Sequence, residues 1–197
     1  MKARQPTTRY VEVAIASAGL LLLSIAGWDL LKFTAFQRHP DWFGASSLPT
    51  LQWTDVRRLS SARTGEPGPA LRIIGKLEIA RLSMSVLVVD GDSDEDLSVA
   101  AGHVPGTALP GEHGNSVIAG HRDMAFQLLR YIRIGDRVRV ESGRTYEYVV
   151  ESVRIVEPGD TAVLQNGGAA TLTMLTCYPF RYIGDAPKRY AVRARLI

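Results

Sequence analysis

Two hydrophobic patterns divide this chain. Residues 13–28 (VAIASAGLLLLSIAGW) carry no charge, and over residues 10–31 only Glu12 and Asp29 interrupt the apolar series. A helix from Tyr10 to Trp28 rises roughly 27 Å, close to the ~30 Å hydrocarbon core of a bilayer. Its two aromatic ends then fall at the membrane interfaces. Beyond residue 71 the long run gives way to short segments. Residues 73–79, 84–89, 116–121, 137–141, 145–150, 171–177 and 189–196 read as strands, with a hairpin around Ser142-Gly143-Arg144. Residues 94–101 read as a short helix and 123–130 as a helical turn. Short strands separated by turn signals predict a mostly β fold, a closed or nearly closed antiparallel barrel. No internal repeat is visible.

Between these parts the composition shifts twice. Residues 29–43 (DLLKFTAFQRHPDWF) extend the helical pattern as far as Pro40, with Leu30, Leu31, Phe33, Phe36, Trp42 and Phe43 placed to lie on a membrane surface. A solvated stalk is the competing reading. Residues 44–70 turn to Ser, Pro, Gly and Thr and end in TGEPGP, which is linker chemistry with room for one short helix at 51–59. The expected organisation is a basic tail (1–9), a transmembrane signal-anchor (10–31), a juxtamembrane segment and linker (32–70), and a folded domain (71–197). Lys2, Arg4 and Arg9 precede the apolar run, so the positive-inside bias sets the N-terminus in the cytoplasm and the domain outside. Ser24-Ile25-Ala26 also has the small-residue spacing of a signal-peptidase site, and cleavage there delivers the domain to the same side.

Charge and composition narrow the function. Residues 1–70 hold eight Lys/Arg against five Asp/Glu, which accounts for the whole net charge of +3; residues 71–197 hold fifteen of each. A nucleic-acid-binding domain normally carries its basic footprint on the folded part, so nucleic acid is not an expected partner. The 197 residues allow one ordinary domain plus extras. A single cysteine rules out a disulfide framework and any cysteine-rich zinc module.

That cysteine is the first candidate for chemistry. Cys177 ends the run TLTMLT and is followed by Tyr178-Pro179; a proline cannot continue a central strand, so Cys177 belongs at a strand's end. An unpaired thiol outside the cytoplasm risks oxidation unless it is buried or used. A thiol nucleophile needs a proton acceptor in reach, usually His. His121 follows the apolar strand residues Val117-Ile118-Ala119 and Gly120, whereas His103 and His113 sit among glycines and prolines, and His39 precedes the linker. Acyl transfer also needs a donor for the developing oxyanion. Arg189, Ala191, Arg193 and Arg195 share one face of the last strand, with Arg189 nearest its start.

Taken together, Thr173-Met174-Leu175-Thr176-Cys177, Ala119-Gly120-His121-Arg122-Asp123 and Arg189-Tyr190-Ala191-Val192-Arg193-Ala194 resemble the sortase family of bacterial cysteine transpeptidases. The likeness runs from about Lys76 to Ile197. Gly102-His103-Val104-Pro105-Gly106-Thr107-Ala108, Thr176-Cys177-Tyr178-Pro179-Phe180 and Ala186-Pro187-Lys188-Arg189 look most like its class D branch. Two positions depart from the family pattern. Met174 replaces Leu in Thr-Leu-x-Thr-Cys, a volume-conserving swap, and Ala191 stands where a branched apolar residue is usual, which is expected to loosen the last strand.

The resemblance implies a closed eight-stranded sortase-type barrel behind one membrane helix, single-pass in the bacterial plasma membrane. It implies Cys177 as nucleophile, His121 as proton donor and acceptor, and Arg189 as substrate and oxyanion ligand, with Thr176 a weaker second donor. The implied partners are secreted proteins bearing a C-terminal sorting signal, an amine nucleophile of the cell envelope, and the membrane itself. No cofactor and no metal is implied. Residues 90–96 (DGDSDED) have a calcium-loop alternation, but Glu95 and Ala101 fall where such a loop needs Gly and Glu. These acids fit better as helix caps. The rival functions are a cysteine protease using the same residues, a non-catalytic membrane-tethered barrel, and a metallohydrolase built on His103, His113 and His121.

Overall fold

The computed structural model of the chain describes residues 6–39, 46–47, 71–165 and 167–197. One helix, α1 (Pro6–Arg38), takes in both the apolar run and the segment after it. Its stretch Tyr10–Arg38 is long and apolar enough to cross a membrane. The expectation that Phe33 and Phe36 lie on a membrane surface fails. Phe36 is fully buried with Val89, Val99 and Ala100, and Phe33 packs against the barrel core. Gln37 closes the joint, its Nε2 donating to Val99 O (2.9 Å) and its Oε1 accepting from Leu87 N–H (2.8 Å). Residues 33, 36 and 37 share one helical face, and that face meets protein. Trp42, Phe43 and the expected helix at 51–59 lie outside the described residues.

A short strand, β1 (Ser46–Ser47), pairs parallel with the start of β2 (Arg72–Ile79). The remaining strands are β3 (Met84–Asp90), β4 (Ala101–His103), β5 (Asn115–Ala119), β6 (Arg137–Ser142), β7 (Arg144–Val156), β8 (Thr171–Tyr178) and β9 (Lys188–Leu196). In the order β2-β3-β4-β5-β8-β9-β7-β6, with β6 pairing back onto β2, they close an eight-stranded barrel. Alternation explains the closure. In β6, Val138, Val140 and Ser142 are buried while Arg137, Arg139 and Glu141 face out. Leu77, Val88, Ile118, Tyr148, Leu172 and Val192 fill the same core from other strands.

The barrel departs from the expected pattern at four points. The pairs β3–β4 and β5–β8 are parallel, so the sheet is mixed. Each parallel pair needs a crossover, supplied by the segment between β3 and β4 and by the β6–β7 hairpin between β5 and β8. Strand β4 was not expected, because all three of its residues are buried and none alternates. Strand β7 runs six residues past Val150 through a register shift between Val150 and Ser152; a bulge resets the alternation there. The helix expected over 94–101 is only α2 (Asp94–Leu97), because Val99 and Ala100 pack against Phe36. Its start is the expected acid cap: Ser93 and Asp96 form a reciprocal capping box.

One ion pair ties the barrel bottom together. The Arg81 guanidinium grips both carboxylate oxygens of Asp136 and also donates to Tyr131 O. That guanidinium, helped by the Arg133 N–H, holds the largely buried Asp136 carboxyl below its ordinary value near 3.8. The stabilisation is therefore full above that value and disappears as pH falls through the depressed one. Asp136→Asn is expected to destabilise the chain at pH 7, with the difference from wild type shrinking toward pH 3 in acid-unfolding curves.

Candidate active site

Strand register brings the candidate residues into one row. In the antiparallel β8–β9 pair, Cys177 lies directly opposite Arg189, which sets their Cα atoms about 4.5–5.5 Å apart. In the parallel β5–β8 pair, Ala119 matches Leu175, and the ladder continues through Gly120 N–H to Leu175 O (3.1 Å). His121 follows two residues beyond Ala119, as Cys177 follows two beyond Leu175. The side chains of Cys177 and Arg189 also share a face. Met174 and Val192 point into the core, so Cys177 and Arg189, each an odd number of residues away within the same strand, fall on the outer face, and His121 leads out of the neighbouring strand β5. Cys177, His121 and Arg189 are all half-buried.

The turn carrying His121 is held from three sides. Its carbonyl accepts the Phe126 N–H at 3.0 Å and the Met124 N–H at 3.4 Å. The Phe126 ring lies so close beneath Gly120 that an added Cβ would come within 2.8 Å of it, which explains the glycine before His121. Thr176, on the inner face, donates its hydroxyl to Gly120 O at 2.6 Å. A hydroxyl has one proton to give. Thr176 thus fixes the turn into His121, and its side chain does not face the row as a second donor.

Arg189 Nη1 donates to Ala186 O (3.2 Å) and Lys188 O (3.1 Å), which leaves donors of its five-proton fork for a ligand. Met174 is fully buried in the core, as a volume-conserving replacement should be. Ala191 does not loosen β9, which runs unbroken to Leu196. It is buried beneath Val156 and Val163, and its small side chain leaves room for the 3-10 turn Thr161–Leu164. His103 stays apart from the row, buried in β4 with Nε2 near Ala108 O (2.9 Å) and Thr107 Oγ1 (3.1 Å).

A groove continues the outer face away from Cys177. Ser152 and Arg154 of β7, Thr173, Ala191 and Arg193 line an open space of about 330 Å³, roofed by Ala162 and Val163. Sequence reasoning missed the residue that holds this roof. Asn115 is fully buried; its Nδ2 donates to Val163 O (2.8 Å) while its Oδ1 accepts from Thr173 Oγ1 (2.7 Å) and Thr171 Oγ1 (3.3 Å). Only its position on the outer face of β5 could have signalled it. Asn115→Ala orphans these buried partners at a cost of about 1–3 kcal/mol. The expected result is a Tm lowered by several degrees and faster proteolysis within residues 157–170.

Comparison with known proteins agrees with the barrel fold. A sortase-domain family profile matches residues 77–197. The chain is 33% identical to Sortase D of Bacillus subtilis (strain 168) over 198 aligned positions, covering 96% of this chain and 98% of that one. Sortase C1 of pilus island 1 from group B Streptococcus superposes with a TM-score of 0.60 at 29% identity, over 70% of this chain and 73% of that one. The Clostridium perfringens Sortase D5 transpeptidase shares the fold, with a TM-score of 0.59 at 22% identity over 88% and 99% of the two chains.

Proposed function

The chain belongs to the sortase family of cysteine transpeptidases, and from that premise we propose that Cys177, His121 and Arg189 carry out acyl transfer on the outer face of a membrane-anchored barrel. The observation behind this reading is that Cys177 pairs with Arg189 across β8–β9, while His121 follows directly from β5, the strand on the other side of β8. The Cys177 thiol gives its proton to His121, and Sγ attacks the carbonyl of a peptide bond near the C-terminus of a secreted protein. The C–S bond forms, and the tetrahedral oxyanion develops beside the Arg189 guanidinium, where a pre-aimed cation is most effective. His121 gives a proton to the leaving amine as the C–N bond breaks, leaving a thioacyl-enzyme. An envelope amine then loses its proton to His121 and attacks the thioester; the C–S bond breaks, and His121 returns that proton to Sγ to regenerate the thiol.

The groove roofed by Ala162 and Val163 lies on the same face and suits the extended sorting signal upstream of the scissile bond. α1 serves as the anchor, with residues 1–9 in the cytoplasm and the barrel outside. Tethering raises the effective concentration of enzyme over membrane-bound substrates. The test uses the full chain in detergent micelles with a library of short peptides and hydroxylamine as acceptor, read by mass spectrometry. Peptidyl hydroxamates that vanish with Cys177→Ala, His121→Ala and Arg189→Ala support the proposal. Free acids alone, lost in the same variants, would make the enzyme a protease instead.

A further inference from the structure

The chain leaving Cys177 does not take the short route to Arg189. Strands β8 and β9 are neighbours, yet the nine residues between Tyr178 and Lys188 are spent on a loop that swings toward the end of β5. There Arg122, the residue after His121, donates from Nη2 to Tyr182 O (2.9 Å) and to Gly184 O (3.1 Å). The returning leg is held by Arg189 at Ala186 O. The outgoing leg is set by aromatic packing: Tyr178 stacks on Tyr190 and Phe180 meets Tyr190 edge-on. With both legs fixed, the tip is held against Arg122, the residue after His121 in the chain, and presents a fully exposed Ile183 and a half-exposed Tyr182. An ordered, solvent-facing apolar tip next to the proton-transfer group is hard to account for by packing alone.

We infer that Arg122 is a positioning residue that clamps the β8–β9 loop over the His121 end of the row, and that this loop decides how well an amine competes with water for the thioacyl group. The inference rests on the proposed function, because both amines there exchange their proton with His121 and must pass on its side of Cys177. A clamped loop offers an extended acceptor a surface to lie against, whereas water and very small amines gain nothing from it. Two hydrogen bonds from a charged donor are enough to change local opening by about tenfold or more when lost.

The test uses the full chain in detergent micelles with Arg122→Ala and Arg122→Lys. Trypsin cleavage after the exposed Arg181 reads the clamp without any substrate. It should accelerate about tenfold or more in Arg122→Ala, and less in Arg122→Lys, which keeps a donor for the carbonyls. A peptide from the library screen then reads the partition, with triglycine as extended acceptor and hydroxylamine as minimal one. Arg122→Ala should raise the KM for triglycine about tenfold and shift product toward the free acid, while the rate at saturating hydroxylamine stays within about twofold. Arg122→Lys should recover part of the triglycine KM. Unchanged cleavage at Arg181 would overturn the clamp, and an equal fall with both acceptors would place Arg122 in the chemistry and overturn the partition. A wild-type chain that yields no product with any peptide would refute the proposed function and the partition with it, while the Arg181 comparison still decides the clamp.

Discussion

Cys177→Ala is expected to remove acyl transfer altogether, a fall in kcat/KM on the order of 10⁴-fold or more, or about 5.5 kcal/mol of transition-state stabilisation. The reason is chemical: without Sγ there is no thioester, and neither an amine nor water has an activated acyl group to attack. His121→Ala should cost nearly as much, because the C–N bond cannot break without a proton for its nitrogen. Arg189→Ala should cost about 10²–10³-fold, the scale for losing one pre-aimed oxyanion donor. Arg189→Lys tests geometry at constant charge. A point-like ammonium cannot reproduce the fork that spans loop carbonyls and substrate, so it should resemble Ala more than wild type. The three effects will not add, since each residue acts only on an intermediate the others help to form; the double variant Cys177→Ala/His121→Ala should match Cys177→Ala. All should melt near wild type, because the three side chains are half-buried and none belongs to the core. A residual hydroxamate signal in Cys177→Ala above background would defeat the mechanism outright.

These residues were legible because each sits in a local signal: a thiol before a proline, a histidine after an apolar strand and a glycine, an arginine opening the last strand. The row itself was not. It depends on the parallel β5–β8 pairing, which joins residues 56 apart in sequence (Ala119 with Leu175) and leaves no mark on either strand's own pattern. The same limit hid Arg122, adjacent to His121 in the chain but bonded to carbonyls some 60 residues on. Strand β4 and the far half of β7 escaped for another reason. Burial on both sides of β4 and the bulge in β7 erase the two-residue period that a strand reading relies on. At α1 the period was clear but its meaning was not. An amphipathic stripe of Phe33, Phe36 and Gln37 shows that something covers that face, and lipid, solvent and protein all fit the pattern.

That face supports the second large effect. Phe36→Ala is expected to cost about 3–5 kcal/mol of the docking between α1 and the barrel, the range for emptying a fully buried aromatic site. Gln37→Ala should add about 1–3 kcal/mol by unpairing Leu87 N–H and Val99 O. The two sites are neighbours, so their costs need not sum. A chain starting at residue 71 loses the whole joint and bares Leu87, Val89 and Val99 on one side of the barrel. It should melt lower and self-associate more readily than one starting at residue 29, which keeps the last turns of α1. Hydrogen exchange separates docking from global stability. The Leu87 amide, which donates to Gln37, should lose protection in Phe36→Ala, while the Leu172 and Met174 amides inside the barrel keep theirs. Equal melting of the chains starting at 29 and 71, with unchanged exchange at Leu87, would mean that the helix hangs beside the barrel without supporting it. If the joint holds, the barrel is not loosely tethered. About twelve ångströms of continuous helix separate Trp28 from Phe36 at 1.5 Å per residue, so an anchored α1 sets both the height and the facing of the Cys177 row above the bilayer.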